Sequence, residues 1–176
     1  EILSYVLDGA LEHKDSTGGG GVIRPGEIQM MRAGTGVTHS EFNHSKVEPV
    51  HFLQIWIVPD TRGLPPAYAQ HDFDCEAAGK RFVLLASKDG RDGSVSIHRD
   101  ADLWMALIGP DERREMRLRP RSDGWIHCAR GSVSVNGTAL EAGDGAAGRG
   151  QGRPPVLGRQ PAPGPGLRPA WRCRRP

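Results

Sequence analysis

The chain has 176 residues, 37 % of them hydrophobic, with a formal net charge of +2, enough for one ordinary domain or two small ones around a buried core. Its longest apolar run, His51-Phe52-Leu53-Gln54-Ile55-Trp56-Ile57-Val58, falls far short of the ~20 residues a membrane-spanning helix needs, so a helical span is excluded. Cys75, Cys128 and Cys173 are odd in number, widely separated and in no paired motif, which fits a reducing, cytoplasmic setting better than a disulfide scaffold.

In chain order, the sequence opens without an initiating Met inside the apolar stretch Ile2–Leu7, so the N-terminus reads as cut. Short strands are then expected at Ile2–Leu7, Ile28–Met31, Thr38–Phe42, Phe52–Val58, Phe82–Leu85, Ser94–His98, Ala101–Leu107, Trp125–Ala129 and Ser132–Val135, each bounded by Gly, Pro, Asp or Asn. The run Gly18-Gly19-Gly20-Gly21 lacks the Lys-Ser/Thr of a phosphate loop and reads as a hairpin loop. Asn136-Gly137 is a hairpin signal in its own right. Residues 6–27 and 128–144 run a similar course of strands and Gly turns, which predicts two related β units. Many short strands at close spacing make the fold class all-β, a sandwich or barrel.

Residues 148–176 differ. They hold seven Arg, seven Pro, six Gly and no acid, and a disordered tail is expected there. Removing those seven charges from the total of +2 leaves residues 1–147 at −5. Two origins compete for the tail: a basic arm that binds nucleic acid, or a frameshift product. The abrupt switch after Ala142-Gly143-Asp144 favours the frameshift. The acidic body argues against direct nucleic-acid binding, since phosphate contacts want a basic face.

The candidate site lies in GVTHSEFNHS, residues 36–45, where His39 and Glu41 stand two apart. In a strand they project from one face with Cα atoms ~6.5–7 Å apart, close enough to converge on one ion. Imidazole nitrogen with carboxylate oxygen suits first-row divalent metals. His13 and His44 could substitute as ligands but read as surface residues. His51, His71, His98 and His127 each lack a partner at ligand spacing, with His71 in a polar loop. A nucleophilic triad is not supported: no Gly-x-Ser-x-Gly occurs, and His127 and Cys128 are adjacent, on opposite faces of any strand.

EILSYVLDGALEHKDSTGGGGVIRPGEIQMMRAGTGVTHSEFNHS with HFLQIWIVPDTRGLPPAYAQHDFD resembles the pirin family of bicupins, which includes bacterial quercetin 2,3-dioxygenase-like members. The resemblance covers about residues 1–145, most densely 1–74, and the run Gly34-Thr35-Gly36 followed by His39-Ser40-Glu41 is highly specific to that family. The resemblance implies two cupin β-barrels: residues 1–74 as the remainder of an N-terminal metal-binding domain, 75–147 as an incomplete C-terminal cupin-like domain, and 148–176 as the tail. It implies one divalent metal, most often Fe(II), held by three His and one Glu, with His39 and Glu41 as two ligands and a His-x-His pair expected just upstream of Glu1.

The same resemblance implies a dioxygenase that opens a flavonol or similar enol with O2, so a small aromatic or enol substrate is the expected partner. Glu41 is then also the candidate base. The activity is expected of the full-length protein, with this chain inactive as a fragment, and a non-enzymatic metal-dependent regulator that binds a protein partner is the alternative.

Overall fold

The computed structural model of the chain describes residues 1–109, 112–149 and 155–158. The regular secondary structure of the described residues is almost entirely strands, and the chain forms two compact units. The first consists of Glu1–Ala77 with Val83–Met105, while Ala78–Phe82 and the described residues from Ala106 onward make the second.

In the first unit, β1 (Ile2–Asp8), β4 (Glu27–Arg32), β6 (His51–Trp56) and β7 (Ala67–Asp72) form an antiparallel sheet in the order β6-β1-β4-β7. A second sheet has the order β3-β2-β5, from β2 (Leu11–Asp15), β3 (Gly20–Ile23) and β5 (His39–Asn43). The sheets face each other. Glu41 of β5 meets Ser4 of β1 and Gln54 of β6, and a side chain at Gly21 of β3 would press on Tyr68 and Gln70 of β7.

Alternation sorts the side chains. Val6, Leu11 and Ile23 are fully or almost fully buried, with Phe52 and Val50 packed against them, so one end of the space between the sheets is an apolar floor. Leu3, Tyr5, Leu7, Ile28 and Met30 occupy the alternate positions of β1 and β4 and are also buried; Tyr5 stacks on Phe73 with centroids 5.7 Å apart. Strand β1 is therefore buried on both faces, which explains its almost unbroken apolar sequence.

The short helix α1 (Cys75–Ala78) follows β7, and β8 (Val83–Ser87), β9 (Val95–Ser96) and β10 (Leu103–Met105) make a further sheet of the first unit, in the order β10-β8-β9. Strand β8 is buried along its whole length, and Val95 and Ile97 are buried beside it. Val83–Met105 clusters with the first unit, across the boundary expected between residues 74 and 75. Its apolar residues complete that unit's packing, a long-range effect invisible to local composition.

In the second unit, β11 (Arg113–Glu115), β13 (Ser132–Val135), β14 (Thr138–Glu141) and β16 (Val156–Gly158) form a sheet in the order β11-β16-β13-β14, and β12 (Asp123–His127) pairs with β15 (Gly145–Arg149). The Asn136-Gly137 turn joins β13 to β14 as expected, with both residues at positive φ (52° and 88°). The core is Cys128, Val133, Val135, Leu140 and Leu157.

Leu157 and its strand correct the expectation of a tail without structure from residue 148. Gly148 and Arg149 lie in β15, and β16 pairs with both β11 and β13. The Val156 N–H donates to Asn136 Oδ1 at 2.8 Å, and the Asn136 N–H donates to the Val156 carbonyl at 3.0 Å. Composition averaged over 29 residues conceals a three-residue strand that needs only one buried leucine and a waiting sheet edge. Residues 150–154 and 159–176 of the expected tail lie outside the described residues.

The loop before β5 depends on Gly34, whose φ is +57° and whose missing Cβ would collide with the Leu64 carbonyl oxygen. Gly34→Ala is expected to destabilise the protein by roughly 1–3 kcal/mol, read as a lower urea midpoint. An unchanged midpoint would mean that the loop relaxes freely.

Candidate functional site

The facing sheets carry a polar layer one rung above the apolar floor. Ser4 pairs with Gln29 and with Gln54, and Gln29 pairs with Gln70. Directly paired residues share a face, so Gln54, Ser4, Gln29 and Gln70 form a polar row across all four strands of the larger sheet. Across the sandwich, His13 pairs with Glu41 on one side and Gly21 on the other. Glu41, His13 and Gly21 therefore form the opposing row.

Most of this layer is hydrogen-bonded. Glu41 accepts from Gln54 Nε2 at 2.6 Å and from Ser4 Oγ at 3.2 Å. Tyr68 donates its hydroxyl to Gln70 Oε1 at 2.6 Å, and Gln70 Nε2 donates to the Val22 carbonyl at 3.2 Å. Burial pushes the Tyr68 phenol above its ordinary range, with the Glu27 and Asp15 carboxylates adding to the shift. Tyr68 is thus a protonated donor at neutral pH.

The middle pair differs. His13 and Gln29 are both 0 % exposed, and His13 Nδ1 and Nε2 and Gln29 Nε2 and Oε1 have no hydrogen-bond partner among the described residues. The nearest acid, Asp15 Oδ2, is 3.7 Å from His13 Nε2, beyond hydrogen-bond reach. The His13 ring stacks on Tyr68, with centroids 5.2 Å apart and planes 6° from parallel. Each uncompensated buried polar group costs about 1–3 kcal/mol.

The next rung is the mouth. His39 pairs with Asp15 in register, and its ring centroid lies 6.0 Å from that of His13, so His39 and Glu41 share the face turned toward the layer. Glu41 is half-buried and His39 is exposed. His39 sits one rung further from the floor, where the sheets no longer cover it. Trp56, 75 % exposed on edge strand β6, donates Nε1–H to Gln54 Oε1 at 3.0 Å.

Among the described residues, no group of three or more His, Cys, Asp and Glu is placed to hold a metal ion. His39 and Glu41 fit such an ion by donor type and by face, and they supply two donors.

The other histidines fall differently from the sequence reading in two cases. His13 is buried rather than on the surface: it alternates with Leu11, whose side chain is in the apolar floor, and the period of two carries His13 inward. His71 lies in β7 rather than a loop, exposed, with Nδ1 3.1 Å from the Gly93 carbonyl. His44 is on the surface as expected, paired with Glu12 at 2.8 Å. His51 and His127 are exposed. His98 is structural: its N–H donates to the Glu1 carboxylate at 2.8 Å, and Arg32 donates to its Nδ1 at 2.8 Å.

Comparison with known proteins bears on what this cup is. Residues 1–57 match the family model described as Pirin, and residues 84–162 match that of the quercetinase C-terminal cupin domain; the second match runs past residue 148. The chain is 42 % identical over 147 residues to the quercetin 2,3-dioxygenase of Escherichia coli K12, covering 84 % of this chain and 62 % of that protein. It thus spans less than two thirds of that relative's length. The crystal structure of YhhW from Escherichia coli superimposes with a TM-score of 0.82 at 39 % identity, covering 89 % of this chain and 66 % of that one. The structure of bacterial pirin YhhW in complex with nickel(II) gives a TM-score of 0.76 at 36 % identity, covering 89 % and 69 %. The chain belongs to the pirin family, and its fold is that of the cupins.

The turn that leads into this site is held by a carboxylate. Asp15 Oδ1 accepts from the Thr17 hydroxyl at 2.5 Å, the Thr17 N–H at 2.8 Å and the Gly19 N–H at 3.1 Å. The Thr17 hydroxyl is the largest influence holding the Asp15 carboxyl below its ordinary range. A depressed carboxyl pKa gives stability that is complete above the unfolded value and lost as pH falls through the folded one. Thr17→Val should therefore lower the urea midpoint at neutral pH, and the deficit should vanish as acid protonates Asp15. A deficit that persists in acid would show that Thr17 acts independently of the carboxylate charge.

Proposed function

We propose that the first unit is the metal-binding half of a pirin-type dioxygenase, which opens the ring of a flavonol or similar enol with O2. The observation that carries this reading is the position of Glu41: a carboxylate half-buried above an apolar floor, on one face with His39 and held by Ser4 and Gln54. The names of the relatives point the same way, and nickel(II) in the YhhW complex agrees with a site for divalent ions. Fe(II) is the ion we assign, because a mixed nitrogen and oxygen donor set with open positions suits oxygen-activating iron.

His39 and Glu41 would hold the ion. The chemistry it supplies in such a site is Lewis-acid polarisation of a substrate hydroxyl. Ser4 and Gln54 fix the Glu41 carboxylate by one hydrogen bond to each oxygen, leaving further lone pairs free to accept the hydroxyl proton. The apolar floor of Val6, Leu11, Ile23 and Phe52 excludes water behind the reacting group. No Lys or Arg lies in either polar row, so the chamber favours a neutral aromatic substrate over an anionic one.

Two donors on one strand hold a divalent ion weakly, so after dialysis these 176 residues should retain well under one ion per chain by elemental analysis. Full stoichiometry would mean that ligands elsewhere in the chain complete the site. In a chain extended upstream to carry the expected His-x-His pair, with Fe(II) or Ni(II) in excess, the reading requires O2 uptake coupled to loss of quercetin, and none with either metal would contradict it. Under the same conditions Glu41→Gln should lower that rate by on the order of 10²-fold or more while reducing the bound metal by much less. A variant as active as the wild type would exclude Glu41 as the base.

A further inference from the structure

Gln54 binds two side chains of different character. Its Nε2 donates to Glu41 at 2.6 Å, and its Oε1 accepts from Trp56 Nε1–H at 3.0 Å. One amide thus ties an indole to the candidate base, and the bonded path holds the indole nitrogen within about 8 Å of the carboxylate. The same bond selects one orientation for a ring that is 75 % exposed on an edge strand and otherwise free to change rotamer.

Trp56 lies two residues beyond Gln54, on the same face and one rung nearer the mouth. Register sets it in line with Ile2, Met31 and Tyr68. That row carries no charge. On the facing sheet the corresponding rung is the pair of His39 and Asp15, so the mouth has an uncharged, largely apolar wall on one side and an imidazole and a carboxylate on the other. Trp56 and His39 are exposed, and Ile2 and Glu41 are half-buried. A ligand therefore reaches the indole and the carboxylate from solvent without any part of the sandwich moving.

We infer that Trp56 is the ring-binding residue of the cup: its indole stacks on the aromatic ring of a neutral phenol or enol whose hydroxyl is turned to Glu41. An indole left in water forgoes the burial of its large apolar area, and a flat ring laid on it restores that burial with favourable stacking. Glu41 and Asp15 disfavour an anion, and the row of Trp56, Ile2, Met31 and Tyr68 has no cation to hold one. The bond to Gln54 pre-organises the indole, so little rotamer freedom is lost on binding. The inference rests on the dioxygenase reading for the class of substrate, and it adds the residue that sets where the ring lies relative to the base.

Catechol, titrated into metal-free protein labelled with nitrogen-15, tests it. The Trp56 indole N–H signal, identified by its absence from Trp56→Phe, should shift saturably, and the catechol protons should move upfield in the ring current. trans-1,2-Cyclohexanediol, which has the hydroxyls without the aromatic ring, should do neither. Trp56→Leu should weaken catechol binding roughly tenfold and Trp56→Phe by much less, with both urea midpoints near that of the wild type because the side chain is exposed. An unmoved indole signal, an equal response to the cyclohexanediol, or catechol binding undiminished in Trp56→Leu would overturn the inference. Where that variant does not fold, the wild-type ring-current shifts decide. Quercetin bound as tightly by Trp56→Leu as by the wild type would overturn the inference and leave the dioxygenase reading intact. Catechol stacked on Trp56 with no binding of quercetin would leave the inference standing and contradict the flavonol reading.

Discussion

Cross-strand register is the constraint on which the site depends. Ser4, Gln29, Gln54 and Gln70 lie on four strands that are distant in sequence, and the antiparallel ladders of β1 with β4 and β6, and of β4 with β7, bring them into one line. A slip of one residue in any ladder would turn that strand's polar side chain to the opposite face, among Leu3, Tyr5, Ile28 and Met30. The slip would also put apolar groups opposite Glu41 and His13. The polar layer and the apolar packing on both sides of the sheet thus specify the same register.

From this line the chemistry of the cup is graded along its axis. Val6, Leu11, Ile23 and Phe52 close one end. One rung higher, Glu41, Ser4 and Gln54 form a satisfied network, while His13 and Gln29 remain open. At the mouth, His39 and Trp56 reach solvent. Polar groups in a low-dielectric interior interact strongly when paired and cost most when unpaired, so the middle rung holds both the most firmly fixed and the most costly polar groups of the first unit.

Much of this was legible in the sequence. The strand alternation and Gly turns gave the all-β class, and the segment with the His39-x-Glu41 spacing is the strand it was read to be. Ser4 in ILSYV, Gln29 in EIQMM and Gln54 in FLQIW are each a lone polar residue inside an apolar strand, a signal present in the sequence but uninformative one strand at a time. Only pairing shows that they line up. His13 was hidden because its partner in alternation, Leu11, precedes it in a segment rich in charge. Strand β7 was masked by Gln70, His71 and Asp72, and β16 by the Gly, Pro and Arg around it. The placement of Val83–Met105 with the first unit depends on contacts across most of the chain, which local pattern cannot report.

Besides His39 with Glu41 at the mouth of the cup, the first unit offers a divalent ion the exposed pair of His44 with Glu12, 2.8 Å apart on the outside. Paramagnetic broadening by Mn(II), titrated into isotope-labelled protein and read by NMR, separates them. A metal site at the cup predicts that His39 and Glu41 broaden first and that Ser4 and Gln54 follow. Broadening centred on His44 and Glu12, with the cup untouched, would contradict it.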